Sequence, residues 1–183
     1  TLLIIAVAAL ALGQDGADRH YTLGVLVGLV LSLGGDVALM FQQRQSAFLA
    51  GLVAFLLGHI AYTVTFHLFA APSAVDLVSA VALLALALPL YRLLAPGLGS
   101  MRLPVIAYFL VISLMVHQSI ALLAGDVLGP ERALLAVAGA VLFYLSDVVL
   151  AADRFWKPWR YNRYSLFLYF GGQLLIALSA HAT

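Results

Sequence analysis

Read along the chain, apolar residues come in long runs rather than in a narrow stripe or a strict alternation, and short clusters of charge, glycine and proline part the runs. This is the pattern of helices that face hydrocarbon on most sides and cross a membrane one after another. Seven runs are predicted as crossings. The first is a shortened one from Thr1 to about Gly13; then come Tyr21 to Phe41, Ala47 to Phe69, Pro72 to Leu94, Met101 to Ala124, Pro130 to Ala152 and Tyr161 to Ala180. Pro72 and Pro130 fall where a helix accepts proline best, in its first turn. The chain opens on Thr and its first run is shorter than the roughly 20 residues of a crossing, so the sequence is expected to start late. A secretory signal is a poor alternative, because no basic segment precedes the run.

Composition makes a membrane the only solvent that fits. Of 183 residues, 64% are hydrophobic and 9% charged, against about 25% charged in soluble domains. The expectation is one all-α domain over residues 1–183, a polytopic transmembrane helix bundle. With no cysteine, a disulfide framework and a thiolate metal site are excluded. A net charge of +1 gives no case for nucleic acid. Lysine and arginine are unequally divided between the two sides: Arg44, Arg92, Arg102, Arg154, Lys157, Arg160 and Arg163 fall on one, Arg19 and Arg132 on the other. By the positive-inside rule the first side is cytoplasmic, which puts the turn 154–163 in the cytoplasm and the C-terminus outside. A bacterial-type inner (cell) membrane is the expected location.

Charge at membrane depth costs several kcal/mol and marks a functional position by default. Asp36, about five residues before the end of the second run, and Asp147, about six before the end of the sixth, are the two such carboxylates. At 1.5 Å per residue both come out roughly 8–9 Å below the same edge. Polar residues share helix faces nearby: His59, Tyr62 and Thr63 on the third helix, Ser165, Tyr169 and Gln173 on the seventh, Tyr108 and then Ser113 with His117 on the fifth. Together they are expected to line a pocket open toward the cytoplasmic leaflet. The plainer readings are that the acids cap backbone or snorkel, that the polar stripes hold helices together, and that the cluster from Phe155 to Tyr164 is an interfacial belt. A weak internal echo aligns Leu31 to Leu39 with Leu142 to Leu150 around their Asp-Val pairs.

No lysine lies in the last helix to carry a retinal, and neither a Gly-x-Ser-x-Gly elbow nor a His-Glu-x-x-His pair occurs. What does occur, in order, is Gly35-Asp36, Gly58-His59-x-x-Tyr62, Phe143-x-x-Ser146-Asp147 with Leu150 and Ala151, and Tyr169-x-x-Gly172-Gln173. Across nearly the whole chain this resembles the YhhN-like family of integral membrane lysoplasmalogenases, whose members generally have one more N-terminal helix. The resemblance implies hydrolysis of the vinyl ether bond of a lysoplasmalogen to a fatty aldehyde and glycerophosphoethanolamine or glycerophosphocholine. The partners would be a lysophospholipid substrate and membrane lipid.

Vinyl ethers are inert to base and open by protonation at carbon, so the reaction needs a positioned acid. A carboxyl group in a low-dielectric bundle can be that acid while a second stabilises the cation or takes a proton from water, as in glycosidases. No metal or organic cofactor is required. Asp36 and Asp147 are therefore the expected catalytic pair, facing one cavity with their carboxyl groups roughly 5–10 Å apart. Asp36 is favoured as the acid because Gly34 and Gly35 give it no neighbouring hydroxyl, whereas Ser146 adjoins Asp147. His59, Tyr62, Tyr108, Ser146, Tyr169 and Gln173 are expected around the substrate, with Arg160 and Arg163 on its phosphate. The competing class is a proton-coupled transporter of a small molecule or lipid, for which buried acids and a histidine serve equally well.

Overall fold

The structure is a computed structural model that describes residues 1–157 and 163–182. Among the described residues there is no strand, and seven α-helices follow one another: α1 (Leu2–Leu10), α2 (Arg19–Leu39), α3 (Gln45–Phe69), α4 (Ala74–Leu98), α5 (Arg102–Ala121), α6 (Pro130–Phe155) and α7 (Arg163–Leu178). Six are long and one, α1, has nine residues. Four helical stretches are long and apolar enough to cross a membrane: Arg19–Leu39, Gln45–Phe69, Ala74–Ala124 and Pro130–Phe155. The third contains both α4 and α5, which are joined by a single turn of 3₁₀ helix at Gly99–Met101. Large apolar side chains such as Leu77, Leu103 and Phe167 cover the outside, as a bilayer-solvated protein requires.

Element ends follow local chemistry. Asp18 caps α2, its carboxylate accepting from the backbone N–H of His20 and Tyr21. Pro130 occupies the first turn of α6, but Pro72 lies outside α4. There Ser73 and Asp76 form a reciprocal capping box that fixes the start at Ala74. The sixth helix runs on to Phe155 rather than stopping at Ala152.

Two helix pairs are especially close, α2 with α3 and α6 with α7, and glycine makes both possible. The rings of Tyr62 and Phe55 on α3 stand where a Cβ on Gly28 or Gly35 of α2 would be, at 2.3 and 2.6 Å. Across the other pair, a Cβ on either Gly139 or Gly172 would lie 2.7 Å from the other residue's carbonyl oxygen. Small residues at such crossings let membrane helices pack backbone to backbone. At the far end of this pair the Arg132 guanidinium donates to the carbonyls of Ser179 and Ala180, a cation at the C-terminus of α7. Helix α5 packs against α3 and α6, α4 lies outside against α5 and α6, and α1 rests on α2 and α7. Helices α2 and α6, the bearers of the two acids, make no close backbone approach to each other. Aromatic side chains fill the interior between α3, α6 and α7.

Candidate active site

Asp147 projects inward from α6 and is 7% exposed. The Tyr108 hydroxyl, from α5, donates to its Oδ2 at 2.6 Å. His59 Nε2, from α3, stands 3.6 Å from the same oxygen. His59 is fully buried, and neither of its ring nitrogens is in a hydrogen bond among the described residues. An unmatched buried polar group costs about 1–3 kcal/mol, and the nearest charged partner of this imidazole is the Asp147 carboxyl group. The ring is fixed by packing edge-on to Tyr108 and tilted on Phe143, at 5.2 and 4.6 Å between centroids.

Asp147 and Tyr108 line a cavity of about 40 Å³, room for a water or two. Leu52, Phe55 and Val105 form much of its apolar wall, and Arg154 and Phe155 also line it. The Arg154 guanidinium lies over the Phe48 ring at 4.8 Å, a cation and π-face arrangement. Arg154 follows Asp147 by seven residues, two turns along one face of α6, and that spacing was readable in the sequence.

Asp36 sits elsewhere. It is half-buried, accepts a hydrogen bond from the Thr1 hydroxyl, and stands beside the Tyr169 hydroxyl. Thr1 Oγ1 is itself 3.2 Å from Tyr169 Oη. From there a polar chain runs inward: Gln173 Nε2 donates to Tyr169 Oη at 3.4 Å, and Tyr62 donates to Gln173 Oε1 at 2.6 Å. Asp36 is absent from the wall of the Asp147 cavity, as are His59, Tyr62, Tyr169 and Gln173. The two acids thus have separate surroundings instead of one shared cavity. The Phe143 ring packs both on Tyr169, next to Asp36, and on His59, next to Asp147. Their helices also end differently, three residues beyond Asp36 and eight beyond Asp147, so the matched depth read from run ends is not kept.

The remaining residues fall into place around these two centres. The Ser146 hydroxyl donates to the Ser165 carbonyl at 2.9 Å and Ser165 Oγ returns a bond to the Ser146 carbonyl at 3.2 Å, so Ser146 ties α6 to α7 and does not face Asp147's cavity. Thr63 donates to the backbone of His59. Ser113 and His117 face α4 instead of continuing the polar stack. Arg163 is exposed at the start of α7, and Arg160 lies outside the described residues. Arg154 and Phe55 are the members of the site that sequence reasoning passed over, and Phe143 stood in a motif there without a role of its own.

Fold and site together define a polytopic, all-helical membrane protein with a hydrogen-bonded carboxyl group beside a buried imidazole. The YhhN family profile matches residues 1–180, and the chain belongs to that family. Among curated proteins it is similar to lysoplasmalogenase TMEM86A of Homo sapiens, 34% identical over 161 residues, and of Bos taurus, 32% identical over 161 residues; each alignment covers 85% of this chain and 64% of the relative. It is also similar to lysoplasmalogenase TMEM86B of Mus musculus, 33% identical over 180 residues, covering 98% of this chain and 71% of the relative. The chain therefore spans a little under two thirds of the TMEM86A relatives' length. No solved structure gives a significant match.

Proposed function

We propose that this protein is a membrane hydrolase that cleaves the vinyl ether bond of lysoplasmalogens, releasing a fatty aldehyde and a glycerophospho-amine. Family membership and the lysoplasmalogenase relatives support the activity. One observation carries the mechanism: the Asp147 carboxyl group, held by Tyr108, beside His59 and at the wall of a cavity that also bears Arg154.

The acid form of Asp147 gives its proton to the vinyl carbon remote from the ether oxygen, leaving an oxocarbenium ion and a carboxylate. The carboxylate, its charge held by the Tyr108 O–H, lies against the cation. Water adds to the cationic carbon while neutral His59 accepts its proton, and the hemiacetal collapses to aldehyde and the free glycerol hydroxyl. The proton on His59 returns to Asp147, whose Oδ2 stands 3.6 Å from Nε2. Net, one water is consumed and the acid is regenerated. Arg154 meets the lysolipid phosphate by charge-assisted hydrogen bonds, a role the sequence pattern had suggested for Arg160 and Arg163. The glycine argument for Asp36 as the acid loses its premise, since Thr1 and Tyr169 supply the polar neighbours that Gly34 and Gly35 lack. Asp36, Tyr169, Gln173 and Tyr62 then form a positioning network behind the Phe143 ring.

The seven-to-two division of basic residues supports a cell-membrane location with the segment 154–163 on the cytoplasmic side. The test is direct. Purified protein in detergent, given lysoplasmenylethanolamine, is expected to release aldehyde with no gradient across a membrane. Absence of aldehyde in detergent, combined with substrate uptake only into sealed vesicles, would select the proton-coupled transporter instead.

A further inference from the structure

A second cleft, of about 510 Å³, lies between α4 and α5, within the range of roughly 300–1,000 Å³ usual for small-ligand sites. Leu83 and Ala87 of α4 and Ile106 and Leu110 of α5 are among the residues that line it. The cleft opens along its length toward the surrounding lipid, where Leu84, Leu88 and Leu110 are exposed, and a tie between the helices bounds each end. At one, the turn Gly99–Met101 joins the two helices. At the other, Ser79 Oγ and His117 Nδ1 are 2.8 Å apart, and Ser79 Oγ is 3.0 Å from the Asp76 carbonyl. Ser79 has one proton, and with that proton on the carbonyl His117 Nδ1–H becomes the donor in the tie. Pro89 and Pro96 lie between the two ties and cannot donate to the backbone of their own helix, so α4 is less firmly held to a straight course along the cleft.

The cleft adjoins the active site. Val105 and Phe109 line both the cleft and the Asp147 cavity, and Phe109 directly follows Tyr108, whose hydroxyl holds Asp147. Twelve residues separate Val105 from His117, a helical rise of about 18 Å, comparable to the reach of a long fatty chain. A lipid whose reacting bond lies at Asp147 and whose phosphate lies at Arg154 has only its hydrocarbon tail left to place, and the apolar space beyond Phe109 matches it in chemistry and length.

We propose that the α4–α5 cleft holds the hydrocarbon chain of a single-chain lysophospholipid, with Phe109 as the partition between tail and reacting bond and the Ser79–His117 tie as the stop that sets the longest chain accepted. The chain assignment rests on the hydrolase reading for its link to Asp147, but the occupancy of the cleft can be measured without turnover. The probe is a lysophosphatidylethanolamine with an ester-linked chain and a diazirine near its end, photolysed with the purified protein in detergent micelles. Labelling is expected on α4 and α5 peptides that contain Leu83 and Leu110, and excess unlabelled lysolipid should compete it away. Ala87→Trp, or the milder Ala87→Leu should the larger side chain impair folding, is expected to cut that labelling at least tenfold. In aldehyde release, the same variant is expected to lower the ratio of long-chain (octadecenyl) to short-chain (octenyl) kcat/KM at least tenfold. Labelling that resists competition and falls equally on lipid-facing Leu77 and Phe167 would show that ordinary membrane lipid or detergent fills the cleft, and the proposal would fail even with turnover intact. Saturable labelling in a protein that releases no aldehyde would instead keep the chain site and overturn the hydrolase reading.

Discussion

Asp36 and Asp147 are each preceded by a small residue and followed by Val, yet they are held in different ways. Asp147 is buried between α3, α5 and α6, takes one strong hydrogen bond from Tyr108, lines a cavity, and has beside it the His59 imidazole, whose nitrogens make no hydrogen bond among the described residues. Asp36 is half-buried beside α1 and α7, shares its neighbours with a chain of hydrogen-bonded side chains, and does not line that cavity. A carboxyl group's chemistry in a helix bundle is decided by what other helices bring to it. The residues beside it in sequence point at other faces of its own helix, as Ser146 does when it bonds to Ser165.

The contrast can be broken by substitution. Asp147→Asn keeps shape and removes the transferable proton, and turnover is expected to fall by about 10²–10⁴, the span of general acid catalysis. Aldehyde release at matched thermal stability checks it. His59→Gln removes the acceptor for water's proton and is expected to cost about 10² in kcat with little change in KM; a rise in KM alone would make His59 a binding residue. Arg154→Gln should act in the opposite sense. Loss of a charge-assisted bond of about 1.5–3 kcal/mol raises KM tenfold or more while kcat holds, and the effect should vanish for a substrate analogue that lacks the phosphate. The smallest effect is expected for Asp36→Asn: less than tenfold in turnover, and a modest change in melting temperature, because interhelical hydrogen bonds in membrane bundles average about 0.6 kcal/mol.

The helices were legible because hydrocarbon solvent demands long apolar runs, and charge, glycine and proline interrupt them at the ends. Where a boundary moved, a local signal explains it: Ser73 and Asp76 carry the capping-box spacing that sets the start of α4 after Pro72. The two acids, His59, Tyr108 and the Tyr169, Gln173 pair could all be picked out as polar residues at membrane depth. Their partners could not. Nothing in the sequence joins Tyr62 to Gln173, 111 positions apart, or shows that the Phe143 ring meets both His59 and Tyr169. Such pairings arise from the glycine-lined approaches of α2 to α3 and α6 to α7, which fix which faces meet. Arg154 was recoverable from its seven-residue spacing to Asp147 but entered the sequence reading only as one of the basic residues that mark the cytoplasmic side.

Proton delivery to carbon by Asp147 is tested most directly by turnover in heavy water, with the aldehyde reduced to the alcohol as it forms so that it cannot exchange. The expected product carries one solvent deuterium on the carbon next to the former carbonyl, and the rate falls in heavy water to the same degree in the parent protein and in Asp36→Asn. A product without that deuterium would contradict protonation at carbon, and an isotope effect lost in Asp36→Asn would move the acid from Asp147 to Asp36.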